Sequence, residues 1–162
     1  MTRKLRKMKV NKKFQPLPED EGDEFYPNGI FLFNITKLVK HIKSSPHLFQ
    51  PEEVSIKAIR ICPSSNLDES TIQSANLAEP IILAEIAPDQ FNVIDGNHRL
   101  ERAYRDGKSK ILAYRVMAEQ HVAFLTSVEA YEEYIHYWNE KIKQYSKYPS
   151  PSPQLLSTYN QQ

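Results

Sequence analysis

The sequence predicts an α/β (α+β) fold, a small mixed β-sheet flanked by helices, with a long helix toward the C-terminus. Three short runs are rich in β-branched and aromatic residues, as strands are: residues 81–84, 91–95 and 110–116. Between the last two runs, apolar residues recur at the three- and four-residue steps of a helix. A second helical pattern extends from residue 128 to residue 145. Strands interleaved with helices in one modest chain indicate a single α/β domain.

The chain divides by composition into an arm, a domain and a tail. We expect residues 1–27 to form a charged, disordered N-terminal arm, because a basic run leads directly into an acidic one. A basic arm that contacts DNA or RNA is the alternative. Residues 28–147 form the domain, and the Pro-, Ser- and Gln-rich tail, 148–162, is expected to be disordered.

The first half of the domain begins with a short strand at residues 29–33. Asn34 then caps an amphipathic helix that ends near residues 44–46. Alternation at residues 54–56 predicts a strand, and Asp68 or Ser70 starts a short helix.

The second half of the domain begins at Pro80, which marks the entrance to the buried strand 81–84. A turn at residues 88–90 lets residues 91–95 pair back on it. Beyond the third strand, residues 118–125 suggest a short helix, and residues 126–129 have the spacing of a capping box. The helix that follows places its larger apolar residues on one stripe, which we expect to face the core: Val128, Tyr131, Ile135, Trp138, Ile142 and Tyr145.

The most informative stretch is the turn between the second strand and its helix, Asp95-Gly96-Asn97-His98-Arg99. Gly96 tolerates a positive φ and lets a ligand approach the backbone. The first-turn amides of a helix lack intrahelical acceptors and lie at the positive end of its dipole. His98 and Arg99 lie beside those amides, so the turn predicts a site for a phosphate. A plain hairpin turn, or Asp95 acting only as a helix cap, is the alternative.

Composition excludes several other classes of protein. The formal net charge of +1 gives no argument for nucleic acid, and Cys62 is the only cysteine, so neither an internal disulfide nor a cysteine-rich metal site can form. No apolar run is long enough to span a bilayer, and no signal-peptide pattern is present. We expect a cytoplasmic protein with no membrane partner.

The segment from about residue 51 to residue 125 resembles the ParB/sulfiredoxin superfamily. The resemblance depends on a proline followed by an apolar strand, Pro80 to Leu83, and on a second strand that ends in Asp95-Gly96-Asn97-His98-Arg99. Gly107 and the strand 111–116 complete the pattern. The resemblance implies a small α/β domain that binds a nucleotide or phosphate at the start of this helix.

Individual branches of the superfamily differ at this turn. Sulfiredoxins place a catalytic cysteine where Asn97 stands, so the chain is not expected to be a sulfiredoxin. Chromosome-partition proteins bind cytidine triphosphate through Gly-Glu-Arg-Arg and continue into a helix-turn-helix region, for which this chain has no room. The closest motif is the Asp-Gly-His-His-Arg of ADP-dependent free serine kinases, which Asp95, Gly96, His98 and Arg99 match and from which Asn97 departs.

The resemblance to the kinases implies a role for each residue of the turn. Gly96, Asn97, His98 and Arg99 would bind a nucleotide (ADP, ATP or CTP), and Asp95 would hold Mg²⁺ through water. His98 would act as general acid or base. The acidic residue that activates the acceptor hydroxyl would be Asp68 or Glu69, with Glu79 a weaker candidate.

Two other classes of function stay open. One is a non-catalytic nucleotide-sensing or DNA-associated module, related to partition proteins or nucleases, although no paired carboxylates are present to hold two metals. The other is a protein-interaction domain in which the long aromatic helix forms a dimer. The sequence leaves open the nucleotide, the acceptor and the oligomeric state.

Overall fold

The protein is described by a computed structural model over residues 4–29, 31–60 and 66–147. Within these residues it is a mixed α/β domain with a two-stranded and a four-stranded sheet. The strands are β1 (Phe25–Asn28), β2 (Phe31–Asn34), β3 (Glu52–Ser55), β4 (Ile81–Ala87), β5 (Gln90–Asp95) and β6 (Lys110–Val116). The helices are α1 (Ile35–Ser44), α2 (Ile56–Ile59), α3 (Glu69–Gln73), α4 (Asn97–Arg105), α5 (Ala118–His121) and α6 (Val128–Lys147). The predicted fold class is confirmed.

The larger sheet has the strand order β3-β6-β4-β5, with β4 parallel to β6 and the other neighbours antiparallel. All seven residues of β4 are buried, because helices cover both faces of the sheet at this strand. Ile82, Ala84 and Ile86 face the larger core, and Ile81 and Leu83 face the smaller one. A strand covered on both faces has a nearly continuous apolar sequence, as β4 does apart from Glu85.

The two cores are assembled from different helices. On one face of the sheet, α1, α5, α6 and β2 enclose the larger core, whose biggest side chains include Phe33, Tyr134 and Trp138. On the other face, Leu100 and Ala103 of α4 pack with α2 against the sheet. The start of α4 is thereby fixed at the end of β5. None of the described helices has the length and apolar character needed to cross a membrane.

Most predicted elements are present where local signals placed them. The Asn34 side chain accepts from the Lys37 amide at 3.1 Å and caps α1, and Asp68 caps α3 through the Thr71 amide at 2.9 Å. The prediction of a strand at residues 54–56 is wrong at its end, because the Ser55 hydroxyl caps α2, which begins at Ile56. The predicted helix 118–125 is divided into α5 and the 3-10 turn Val122–Phe124. Ile30, Cys62 and the tail 148–162 lie outside the described residues.

The prediction that one stripe of α6 faces the core is confirmed for the central residues of the stripe but not for its first residue. Tyr131, Ile135, Trp138 and Ile142 are buried, whereas Val128 is 39% exposed. Tyr134, which the prediction left off the stripe, is fully buried. Its hydroxyl donates to the carbonyl oxygen of Glu85 at 2.7 Å, which satisfies its polar atom inside the core.

The N-terminal arm differs from the prediction of a disordered segment. Residues 4–14 lie along α6, where the Trp138 indole donates to the Arg6 carbonyl at 2.9 Å and the Asn139 amide both accepts from and donates to the Met8 backbone. The Phe14 ring stacks on Tyr131 with 3.8 Å between ring centroids. Composition did not reveal this order, because it depends on backbone groups that helix side chains satisfy.

A buried polar network links β4 to α5 and α6. The Glu85 carbonyl accepts from His121 Nε2 at 2.6 Å as well as from Tyr134, and the Glu85 carboxylate accepts from the Asp89 and Ala118 amides. Because a carbonyl only accepts, the His121 proton is on Nε2. Nδ1 is buried without a hydrogen-bond partner among the described residues. Burial lowers the pKa of His121 from 6.5 to about 4.

We expect the fold to lose stability as the pH falls below about 6.5. The pKa of His121 is lower in the folded state than in the unfolded chain, so its contribution is complete above about pH 6.5 and is lost on acidification. Between about pH 6.5 and pH 5 the free energy of unfolding should fall by about 2 kcal/mol on this account. Urea unfolding at several pH values in this range measures the loss.

The matched control for this prediction is His121→Gln, whose side-chain amide can still donate to the Glu85 carbonyl but does not titrate. Its stability should depend less steeply on pH over this interval, whatever its absolute value. An equal slope for the variant and the wild type would show that His121 is not the group responsible.

Candidate functional site

The turn after β5 is built around Gly96, whose φ of +96° ends the strand. The first helical hydrogen bond of α4 joins the Leu100 amide to the Gly96 carbonyl at 2.9 Å. No side chain of the described residues caps this helix start. The amides of Asn97, His98 and Arg99 therefore lie at the positive end of α4 without intrahelical acceptors, as the sequence predicted.

Packing against β4 gives a structural reason for glycine at position 96. A Cβ atom here would lie 2.5 Å from Ile81 Cγ2, 2.9 Å from Ile81 Cβ and 2.8 Å from Arg99 Nη2. The positive φ adds a second reason, since L-residues rarely adopt it. Gly96 therefore has a structural role, and the expectation that it also lets a ligand approach the backbone stays a prediction.

Two clefts meet beside this turn and share Glu79, Asp95 and Arg99 in their walls. The larger, of about 400 Å³, is mostly polar, and its other lining residues are Glu24, Thr71, Ser74, Ala75, Asn76, Gly96 and His98. The smaller, of about 180 Å³, is more apolar, and its other lining residues are Val39, Ile42, Lys43, Pro80, Ile82 and Tyr114.

Arg99 lies between the two clefts and lines both of them. Its Nη2 donates to Asp95 Oδ2 at 3.1 Å and to the Pro80 carbonyl at 3.2 Å. Its Nε is buried and has no hydrogen-bond partner among the described residues. The side chains of Asp95 and Arg99 are 28% and 22% exposed, so a ligand in either cleft can reach this pair.

His98 connects the start of α4 to the start of α3. Its Nε2 accepts from the Asp68 amide at 3.1 Å. The structure therefore brings the Asp68 backbone next to the turn that carries Asp95 and His98. The Asp68 carboxylate instead accepts from the Ser70 hydroxyl and from the hydroxyl and amide of Thr71. These hydrogen bonds, that from Ser70 first, lower the pKa of Asp68 to about 2. Asp68 is thus an ionised helix cap and a weak base.

Glu69 faces away from the turn. Its two carboxylate oxygens pair with Arg105 at 2.7 and 2.9 Å, and the hydrogen bond from Arg105 lowers the pKa of Glu69. It lines neither cleft. Glu79, the weakest candidate by sequence, lines both, with its carboxylate 3.5 Å from Lys43 Nζ.

Arg102 has a structural role that the sequence did not show. It forms an ion pair with Asp106 at 3.0 Å, and its Nη1 also donates to the carbonyls of Ile72 and Gln73 at the end of α3. These contacts hold α3 against α4. They place Thr71 and Ser74 in the cleft wall, which no local sequence signal predicts.

The acidic and hydroxyl-bearing wall opposite α4 was missed by sequence reasoning. Glu24 comes from the segment expected to be disordered, and the Asn76 amide accepts from the Ala78 backbone, which leaves its amino group to donate elsewhere. Among the described residues, no group of three or more His, Cys, Asp or Glu side chains is placed to hold a metal ion. Mg²⁺ held by Asp95 would need most of its ligands from phosphate and water oxygens.

No family model matches the chain, and no curated protein matches it either.

Proposed function

We propose that the larger cleft binds the phosphates of a nucleotide, or of a phosphorylated small molecule, in a domain of the ParB/sulfiredoxin type. One observation carries the proposal: the uncapped start of α4 opens on a cleft of about 400 Å³ whose wall contains the partly exposed side chain of Arg99. Anions bind at helix N-termini because the first amides point outward and the dipole favours negative charge. The volume is within the usual range for small-molecule sites.

The charges of the cleft favour a ligand that arrives with a cation. Glu24, Glu79 and Asp95 line the same cleft as Arg99 and would repel an unaccompanied phosphate. Mg²⁺ between Asp95 and the phosphate oxygens would neutralise that repulsion. We therefore expect ADP, ATP or CTP to bind more tightly with Mg²⁺ than without it.

The enzymatic form of the proposal is a phosphotransferase of the free-serine-kinase type. Phosphoryl transfer needs positioning and charge neutralisation more than covalent help. Glu79 lines the cleft and would accept a proton from a hydroxyl bound there. A neutral His98 that accepts through Nε2 carries its proton on Nδ1, where it can donate to a phosphate oxygen.

The second candidate is a non-catalytic nucleotide sensor that uses the same cleft. It is favoured because the two acidic residues that the sequence suggested first as catalytic form other interactions. Asp68 caps α3, and Glu69 pairs with Arg105. Phosphorus NMR of the protein with ADP, Mg²⁺ and free serine distinguishes the two. Phosphoserine formation that Glu79→Gln abolishes, with nucleotide affinity little changed, supports the kinase, whereas binding without turnover supports the sensor.

We expect Arg99→Ala to weaken nucleotide binding by about 1.5–3 kcal/mol, the range for a hydrogen bond to a charged group. Arg99→Lys should have a smaller effect, because it keeps the charge and loses the planar fork. Calorimetric titration with ADP, ATP and CTP, each with and without Mg²⁺, measures both.

The control for Arg99 is Arg115→Gln, because Arg115 carries the same charge, pairs with Glu52 and lines neither cleft. Arg102 is unsuitable, since its removal would release α3. Melting temperatures of all variants show whether the loss of the Pro80 and Asp95 contacts alters the fold. Suppose that a nucleotide binds, and that the folded Arg99→Ala variant binds it as tightly as the Arg115→Gln variant does. The cleft is then not the nucleotide-binding site.

A further inference from the structure

A second, separate feature is the row of cations on the docked arm. Leu5, Met8 and Phe14 turn toward the domain, where Leu5 and Met8 pack against the larger core and Phe14 stacks on Tyr131. The charged side chains between them are exposed: Lys4, Arg6, Lys7, Lys9, Lys12 and Lys13. This set is called the arm cations below.

The arm cations are held in place by their backbone. Trp138, Asn139 and Tyr131 bind the main chain at Arg6, Met8 and Asn11, with distances of 2.8 to 3.0 Å. Beyond Asn11 a turn, closed by the Phe14 amide on the Asn11 carbonyl, carries Lys12 and Lys13. The charges therefore lie on an ordered strip, so less conformational entropy is lost when they bind a partner.

The arm cations also differ in their ion pairing from the arginines elsewhere on the domain. No salt bridge among the described residues involves any of them, whereas every described arginine outside the arm is ion-paired: Arg60, Arg99, Arg102, Arg105 and Arg115. Glu140 interacts electrostatically with Lys7, but its ion pair is with Lys143.

Two carboxylates of the acidic run at residues 19–24 are engaged away from the arm cations. Asp20 and Asp23 both pair with Lys37 in the first turn of α1, and the Asp23 carboxylate also accepts from the side-chain amide of Asn34. The formal net charge of +1 thus conceals a local excess of positive charge on one strip of the surface.

We infer that the arm cations form a binding strip for the phosphate backbone of nucleic acid, recognised by charge and not by base sequence. A strip of this kind releases condensed counterions from the polyanion, which supplies the free energy of non-specific binding. Phosphate contacts of this type position a protein on nucleic acid without reading the bases. A membrane surface is the less suitable partner, because Leu5, Met8 and Phe14 are turned toward the domain, and among the arm cations this leaves Val10 as the exposed apolar side chain that could contact lipid.

The test is fluorescence anisotropy of the full chain with a labelled 24-base-pair DNA duplex of arbitrary sequence, at several NaCl concentrations between 50 and 200 mM. For the wild type we expect log K to fall with log[NaCl] with a slope of about −3 to −5, the range for three to six phosphate contacts. Replacing Lys7, Lys9 and Lys12 by Gln should weaken binding at 50 mM NaCl by about tenfold or more and make the slope shallower by about 2 to 3.

The matched control replaces three exposed, unpaired lysines elsewhere on the domain by Gln: Lys57, Lys108 and Lys110. It changes the net charge equally and should alter affinity by less than about threefold. Unchanged melting temperatures are expected for both triple variants, since none of these side chains contacts the core.

Three results would overturn the inference. The first is the absence of binding at 50 mM NaCl, and the second is an equal loss of affinity in the arm and control variants. The third is tighter binding to phosphatidylserine vesicles than to the duplex at the same salt concentration, which would identify a lipid surface as the partner. None of these results depends on the α4 cleft, so the proposed nucleotide site is tested independently.

Discussion

Trp138→Ala should lower the free energy of unfolding by about 3–5 kcal/mol, as expected when a large buried aromatic side chain is truncated. Trp138 is 1% exposed and lies in the larger core, on the same face of α6 as Ile135 and Ile142. Chemical unfolding with a fluorescence or circular dichroism readout measures the loss. An unchanged melting temperature together with lost ligand binding would mean that Trp138 is a ligand contact and not a core residue.

Trp138→Phe separates the packing of the ring from its hydrogen bond. Phenylalanine retains an aromatic ring in the core but cannot donate to the Arg6 carbonyl, a bond of 2.9 Å whose loss should cost about 1 kcal/mol. Because this bond is one of those that hold the arm, trypsin should cleave after the arm lysines faster in this variant than in the wild type. Equal cleavage rates would show that the indole does not hold the arm.

The unit from β4 to α4 could be predicted from the sequence because its signals are local. The apolar run at Ile81, the turn at Pro88 and the change of period after Gly96 each fix a boundary through neighbouring residues alone. Gly107, with a φ of +72°, ends α4 as its position in the sequence predicted.

The missing parts of the site depend on contacts between distant residues. Arg102 holds α3 to α4 through carbonyls about 30 positions earlier in the chain, and Asn139 holds Met8 through 131 positions. Neither contact leaves a periodic or compositional trace. The sequence therefore predicted the α4 side of the cleft and assigned Asp68 a catalytic role that its capping hydrogen bonds do not support.

Gly96→Ala should destabilise the protein by about 3–4 kcal/mol, more than any other glycine-to-alanine change among the described residues. Two costs add at this position: the positive φ, about 1–2 kcal/mol for an L-residue, and overpacking of the new methyl group against Ile81, typically 1–3 kcal/mol. Gly107→Ala is the matched control, since its φ is also positive but nothing lies within 4 Å of the added Cβ. It should show the conformational cost alone, and urea unfolding of both variants measures the difference.

A double-mutant cycle with Ile81→Ala tests whether that difference arises at the β4 contact. Removing Cγ2, the atom 2.5 Å from the new Cβ, should recover part of the cost of Gly96→Ala, so the two changes should be non-additive. Additive effects, or equal costs for Gly96→Ala and Gly107→Ala, would show that the strand moves aside and that the turn tolerates a side chain. In that case Gly96 would be free of its packing constraint, and its positive φ would remain as the structural reason for glycine at this position.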